Sequence, residues 1–274
     1  MGCRRIVLAP AFLSLLAGCN QDGLTSAEAS QALDESSVES QASALTTTPI
    51  EISTNFTIGS GLENAATQLR AFLTSELPCA QISLSGATVT TQWGAAGGTC
   101  SYEGMAYSGT STVTISQNDP GTVEVDHTWT NFSNGKVEVT GTAQVTWSST
   151  DATRHVVHQL SWTRLSDGHA GTGTGDRTET LVSPSEGLLG GVSINGTRHW
   201  SAESGQWNLT ITGVEVRVQD PVPESGAYQL TTPESKSVAL SFERLGAASI
   251  QVTVSGPKES FSFVVLETGA VSGG

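Results

Sequence analysis

The side chains able to do chemistry in this chain are few and widely scattered. Five histidines, His127, His155, His158, His169 and His199, are the first candidates for a general base or a metal ligand. His155 and His158 stand three apart in a strand-like alternation, which sends them to opposite faces, whereas two ligands on one strand face need even spacing. His158 shares the parity of Val156 and Leu160, and His127 that of Val125 and Trp129, so both read as hydrogen-bonded core histidines. The nearest approach to a nucleophile elbow, Gly191-Val-Ser193-Ile-Asn195, lacks the closing glycine and the helix that must follow it. Glu124/Asp126 and Asp220…Glu224 are carboxylate pairs on wet faces, without the aromatic cleft and apolar setting a glycosidase needs. Gly171-Thr-Gly-Thr-Gly175-Asp176 has the glycines of a phosphate loop, but Arg177-Thr178 leads into more strand, and alternate glycines suit close backbone packing. No catalytic residue, metal site or cofactor emerges, and the expectation is a non-enzyme.

The cysteines are more informative. Arg4 and Arg5 precede an apolar run from Ile6 to Leu16, and small residues lead to Cys19. That is the layout of a secretory signal, with an apolar core of about eleven residues where a membrane span needs roughly twenty. The tetrad Leu16-Ala17-Gly18-Cys19 resembles the lipobox of bacterial lipoproteins. The resemblance implies removal of residues 1–18 and a membrane anchor of acyl chains on Cys19. The alternative is an ordinary secretory signal with Cys19 a spare thiol. On the lipoprotein resemblance, Asn20 in place of Asp implies the outer membrane rather than the inner one, with the protein facing the periplasm or the cell surface. Cys3 leaves with the signal and Cys19 is acylated, so Cys79 and Cys100 remain as a pair in an oxidising compartment. One disulfide is expected.

Loss of Arg4 and Arg5 takes the net charge from −14 to −16. Such a surface repels polyanions, and the ten remaining basic residues form no cluster, which excludes nucleic-acid binding.

The elements that must position these residues are mostly strands. From Asn20 to about Pro49 the chain is Ser, Ala, Gln, Thr and acid, without aromatic, Lys or Arg. It reads as a disordered tether over residues 19–50, reaching roughly 30 Å as a flexible coil. Residues 61–77 place Leu62, Ala65, Ala66, Leu69, Phe72 and Leu73 on one helical face, ending at Pro78. After Cys79 the pattern alternates. Val137, Val139, Ala143, Val145 and Trp147 hold one parity, with Glu138, Thr140, Thr142 and Gln144 on the other. A phase slip at Gly213 predicts a bulge. Asn118–Gly121, Asn134-Gly135, Asp167-Gly168 and Glu203–Gly205 supply turns. The expected fold is mainly β. It is an antiparallel meander of about ten to twelve strands, curled or paired as a sandwich or half-barrel, with one N-terminal amphipathic helix. It forms a single domain over 51–268, with a flexible tail at 269–274.

Two functional readings follow. In one, the apolar face is consumed as core and the protein is a structural or partner-binding module of the envelope. In the other, the curled sheet carries a lipid or other apolar ligand, resembling periplasmic lipoprotein carriers in element order. Trp129, Trp147, Trp162 and Trp207 then line the cavity, with Leu69 and Phe72 on a lid. A carrier must keep several hundred cubic ångströms open, whereas a scaffold packs to interior density.

Overall fold

A computed structural model describes residues 23–96, 100–102, 104–183, 190–216, 225–266 and 271–273. The chain is mainly β, 58% strand and 18% helix. Among the described residues three helices, α1 (Ser26–Leu45), α2 (Thr47–Ile52) and α3 (Leu62–Glu76), precede the strands. The strands run in chain order from β1 (Gln81–Ser85), β2 (Thr88–Trp93), β3 (Cys100–Tyr102) and β4 (Met105–Asn118) to β5 (Thr122–Ser133) and β6 (Val137–Ser148). They continue with β7 (Thr153–Arg164), β8 (Ala170–Leu181), β9 (Val192–Ala202), β10 (Gly205–Val216) and β11 (Ser225–Thr231). The last four are β12 (Ser237–Gly246), β13 (Ser249–Ser255), β14 (Ser260–Leu266) and β15 (Val271–Gly273).

Each strand pairs antiparallel with the next in sequence, except that β2 pairs with β4 and β3 pairs onto β4 alone. The result is one fifteen-stranded sheet that does not close into a barrel. The alternation is realised directly: in β7, Arg154, Val156, His158, Leu160 and Trp162 point inward and are buried, while His155, Val157, Gln159 and Ser161 face solvent. All four predicted turns join consecutive strands, at β4–β5, β5–β6, β7–β8 and β9–β10. The predicted bulge is present: β10 shifts register against β9 between Ile211 and Val214, and Gly213 sits at φ 54, where a side chain is strained.

The N-terminal segment is where the expectation fails. Residues 26–45, read as part of a disordered tether, are a helix lying in the trough of the sheet, so the folded body begins before residue 51. Its first turn carries a capping box, in which the Thr25 hydroxyl accepts from the Glu28 backbone N–H and the Glu28 carboxylate accepts from the Thr25 backbone N–H. Ala29, Ala32, Leu33, Val38, Ala42 and Leu45 are buried, and so are Glu35, Ser36, Glu39 and Ser43. Polar residues share the buried face, which erases the apolar stripe that marks an amphipathic helix. Small side chains keep the helix slim enough to fit inside the curl. Strands β6 and β13, seven steps apart in the sheet, both touch α1, so the sheet wraps around it.

The far terminus also differs from expectation, because β15 pairs with β14 through Phe263, Val264 and Val265 where a free tail was expected.

The predicted amphipathic helix is α3, which packs on β1, β2 and β4 with Ala65, Ala66, Leu69 and Leu73 buried. Just beyond it Cys79 is bonded to Cys100 of β3, as expected. A loop of this size, closed covalently, stabilises by about 3 kcal/mol. The double variant Cys79→Ala/Cys100→Ala is therefore expected to unfold at lower urea with an unchanged fold at 25 °C, measured by circular dichroism.

Candidate functional site

The hairpin turns alternate between two ends of the sheet. One end carries the turns β5–β6, β7–β8, β9–β10, β11–β12 and β13–β14. Helix α1 enters the trough there: the Leu24 backbone N–H donates to Glu259 at 3.1 Å, and Lys236 Nζ contacts Glu28 at 2.6 Å and the Gly23 carbonyl at 3.3 Å. The helix then crosses to the opposite end, where Glu51, on α2, meets Arg154 near the start of β7.

Between these points the inward side chains of β7, β8 and β9 form a buried charge ladder. Arg198 Nη1 donates to Glu39 at 2.7 Å and to the Ser40 hydroxyl at 3.1 Å. Arg177 Nε donates to Glu179 at 2.7 Å, and its Nη1 donates to Ser43 at 3.3 Å and to His158 Nδ1 at 3.2 Å. Arg154 donates to Glu51 at 2.5 Å and to Glu179. Three guanidiniums thus face two buried carboxylates, Glu39 and Glu179, and a partly exposed one, Glu51. Burial works against the Glu179 charge, yet Arg177 and Arg154 together hold its carboxyl below the ordinary range. Arg177 is pushed down by burial, with Arg198 and Arg154 adding to the push and Glu179 opposing it.

Arginine can only donate, so the His158 nitrogen facing Arg177 must accept, which fixes the ring as neutral. Burial first, then Arg177 and Arg198, lower its pKa to about 3. His127 is likewise lowered to about 3 by burial and then by Arg154; it stacks on Trp129 and lies 3.4 Å from the Ser53 hydroxyl.

The ladder locks the helix in register. A slip of one turn, about 5.4 Å, would strand Glu35, Glu39 and Arg198 without their partners in a low-dielectric core.

Strand β8 is bare where the helix and the aromatics need room. A Cβ at Gly171 would lie 2.5 Å from Trp162, one at Gly173 2.8 Å from Trp200, and one at Gly175 2.4 Å from His158. The alternate glycines therefore serve close packing, on a strand followed by another strand.

One constellation has the residue types of nucleophilic catalysis. Glu35 accepts from the Ser204 hydroxyl and from Trp200 Nε1 at 3.2 Å, and His169 Nε2 lies 3.3 Å from its Oε1. Trp207 Nε1 donates to Ser204 at 2.8 Å. A relay needs the imidazole between hydroxyl and carboxylate. Here the carboxylate is in the middle, so the cluster seats a buried acid of α1 and leaves Ser204 without a base. Among the described residues no group of three His, Cys, Asp or Glu side chains has the arrangement of a metal site.

The residues expected to line a cavity are dispersed. Trp129, Trp162 and Trp207 are buried and face inward, Trp147 is half-buried, and Leu69 and Phe72 are on α3 over β1, β2 and β4 rather than over those tryptophans. What covers the tryptophans of β7, β9 and β10 is α1: Trp200 donates to its Glu35 and stacks on Trp207 with ring centres 6.0 Å apart. Under α3, Leu69, Leu73, Ile52, Trp93 and Val113 enclose a cavity of about 10 Å³, room for about one water.

Arg154, Arg177, Arg198, Glu35, Glu39 and Glu179 were not singled out from the sequence. Their signal was available as parity, since Arg154 shares the phase of Val156 and Trp162, and Arg198 that of Trp200. Cys19 and Asn20, and the pair Asp220…Glu224, lie outside the described residues.

No protein-family model, curated protein or solved structure matches the chain.

Proposed function

We propose that this is a lipid-anchored protein of the bacterial cell envelope, held through acylated Cys19, whose β body is a structural or partner-binding module and not an enzyme. The Leu16–Cys19 motif supports the anchor, and Asn20 supports the outer membrane as its destination. The observation that carries the module over a carrier of apolar ligands is the occupied trough. The space where a lipid would lie holds α1, with the Glu39–Arg198 ion pair and the Glu35 cluster in its wall.

Two measurements test this reading. Cys19→Ser, placed behind an ordinary cleavable secretory signal in place of residues 1–18, is expected in the soluble periplasmic fraction. The native sequence is expected in the membrane pellet with the mass of its acyl chains. Cys19→Ser protein that stays in the pellet removes the anchor. In native mass spectrometry the soluble variant is expected at the mass of the bare polypeptide. A reproducible lipid adduct, lost in a folded Trp147→Glu variant, would instead establish the carrier.

A further inference from the structure

We infer that the end of the sheet carrying the β5–β6, β7–β8, β9–β10, β11–β12 and β13–β14 turns sits directly on the bilayer, with the strands standing away from it; this rests on the proposed acylation of Cys19.

The inference follows from where the chain stops being free. Gly23 is held by Lys236, and Leu24 is buried, with its N–H on Glu259. Only three residues lie between Cys19 and Gly23, and each of the four steps spans at most about 3.6 Å. An acylated Cys19 therefore lies within about 14 Å of Gly23, which sits against the side chains of the β11–β12 and β13–β14 turns, where a free tether of residues 19–50 would have allowed roughly 30 Å. Helix α1 cannot pay out to lengthen the link without breaking its buried ion pairs.

The composition of this rim agrees. The sequence has three lysines, Lys136, Lys236 and Lys258, and all three are in its turns, in a chain with 26 acidic residues. The rim also carries Asp167, Glu203, Glu234 and Glu259, so attraction to anionic lipid does not drive the seating. The lysines offset like-charge repulsion where the short link presses the protein against headgroups. The opposite end presents Asp119 and Asp151 without a lysine among its described turns.

The test uses full-length acylated protein in phosphatidylethanolamine/phosphatidylglycerol vesicles. It carries a fluorophore on Ser166→Cys, in the β7–β8 turn, or on Thr150→Cys, in the β6–β7 turn about 40 Å away along β7. With headgroup spin-labelled lipid, strong quenching is expected at 166 and little at 150. A 20-residue Gly/Ser spacer inserted after Asn20, reaching roughly 25 Å, is expected to abolish quenching at 166 while acylation persists. Equal or absent quenching at both positions, on protein whose mass shows acylated Cys19, overturns the orientation alone. Label at 166 that is shielded in cells but unquenched in pure vesicles also overturns it and assigns the rim to a protein partner. An unacylated Cys19 overturns the anchor, and the orientation with it.

Discussion

Lowering the pH from 6.5 to 4.5 is expected to remove about 5 kcal/mol of folding stability through His127 and His158 alone. Both are buried as neutral rings, and in the folded state each binds a proton only near pH 3. In the unfolded chain they do so near the ordinary value of 6.5. The unfolded state is therefore protonated first. The stabilisation is complete above pH 6.5 and is lost as pH falls towards 3, at about 1.4 kcal/mol per pH unit for each histidine. Ordinary carboxylates, with pKa values of about 4, begin to take up protons below about pH 5.5, so the upper half of this window reports the two histidines most cleanly. Urea denaturation at a series of pH values is expected to show uptake of about two protons on unfolding. In His127→Phe, which keeps a ring against Trp129, the uptake falls to about one. A stability independent of pH between 6.5 and 4.5 would contradict the burial of both rings.

The second large effect concerns the ladder that holds α1. Arg198→Met is expected to destabilise the protein by about 3–5 kcal/mol, because Glu39 is then a buried charge without its partner. Glu39→Met alone leaves Arg198 equally stranded. The double variant Arg198→Met/Glu39→Met replaces the pair by apolar volume and is expected to lie within about 2 kcal/mol of the native protein. The two single losses thus fail to add, and a double-mutant cycle in urea measures the coupling. Additive single losses would mean that the two side chains do not meet in the core. A local unfolding of residues 26–45 is the expected consequence of either single change, visible as faster amide exchange in α1 than in β6 and β7.

Much of this architecture was legible in the residues. The strict parity of β6 and β7, the turns at Asn134-Gly135 and Asp167-Gly168, the slip at Gly213 and the Cys79–Cys100 pair are local or compositional signals, and each appears in place. The spacing of Leu62, Ala65, Ala66, Leu69 and Leu73 marked α3 within a residue at each end. These features arise from interactions a short stretch of chain makes with itself or with one flat neighbour, which is why periodicity reports them.

The segment 26–52 was a different matter. Read alone, Glu28, Asp34, Glu35 and Glu39 repel one another and leave little apolar surface to bury, the properties of a linker. In the folded protein Glu28 meets Lys236, Asp34 meets Arg164, Glu39 meets Arg198, and Glu51 meets Arg154. The basic residues that looked scattered along the strands are the partners of these acids, brought opposite them by the curl of the sheet. A capping box at Thr25-Ser-Ala-Glu28 starts the helix, but nothing local supplies the surface it packs against. Sequence alone settled that the chain is a long antiparallel meander with a wet face and a dry face. Tertiary structure alone decided what fills the dry side, because the charges that make a polar helix tolerable inside a core lie more than a hundred residues downstream, where no local pattern registers them.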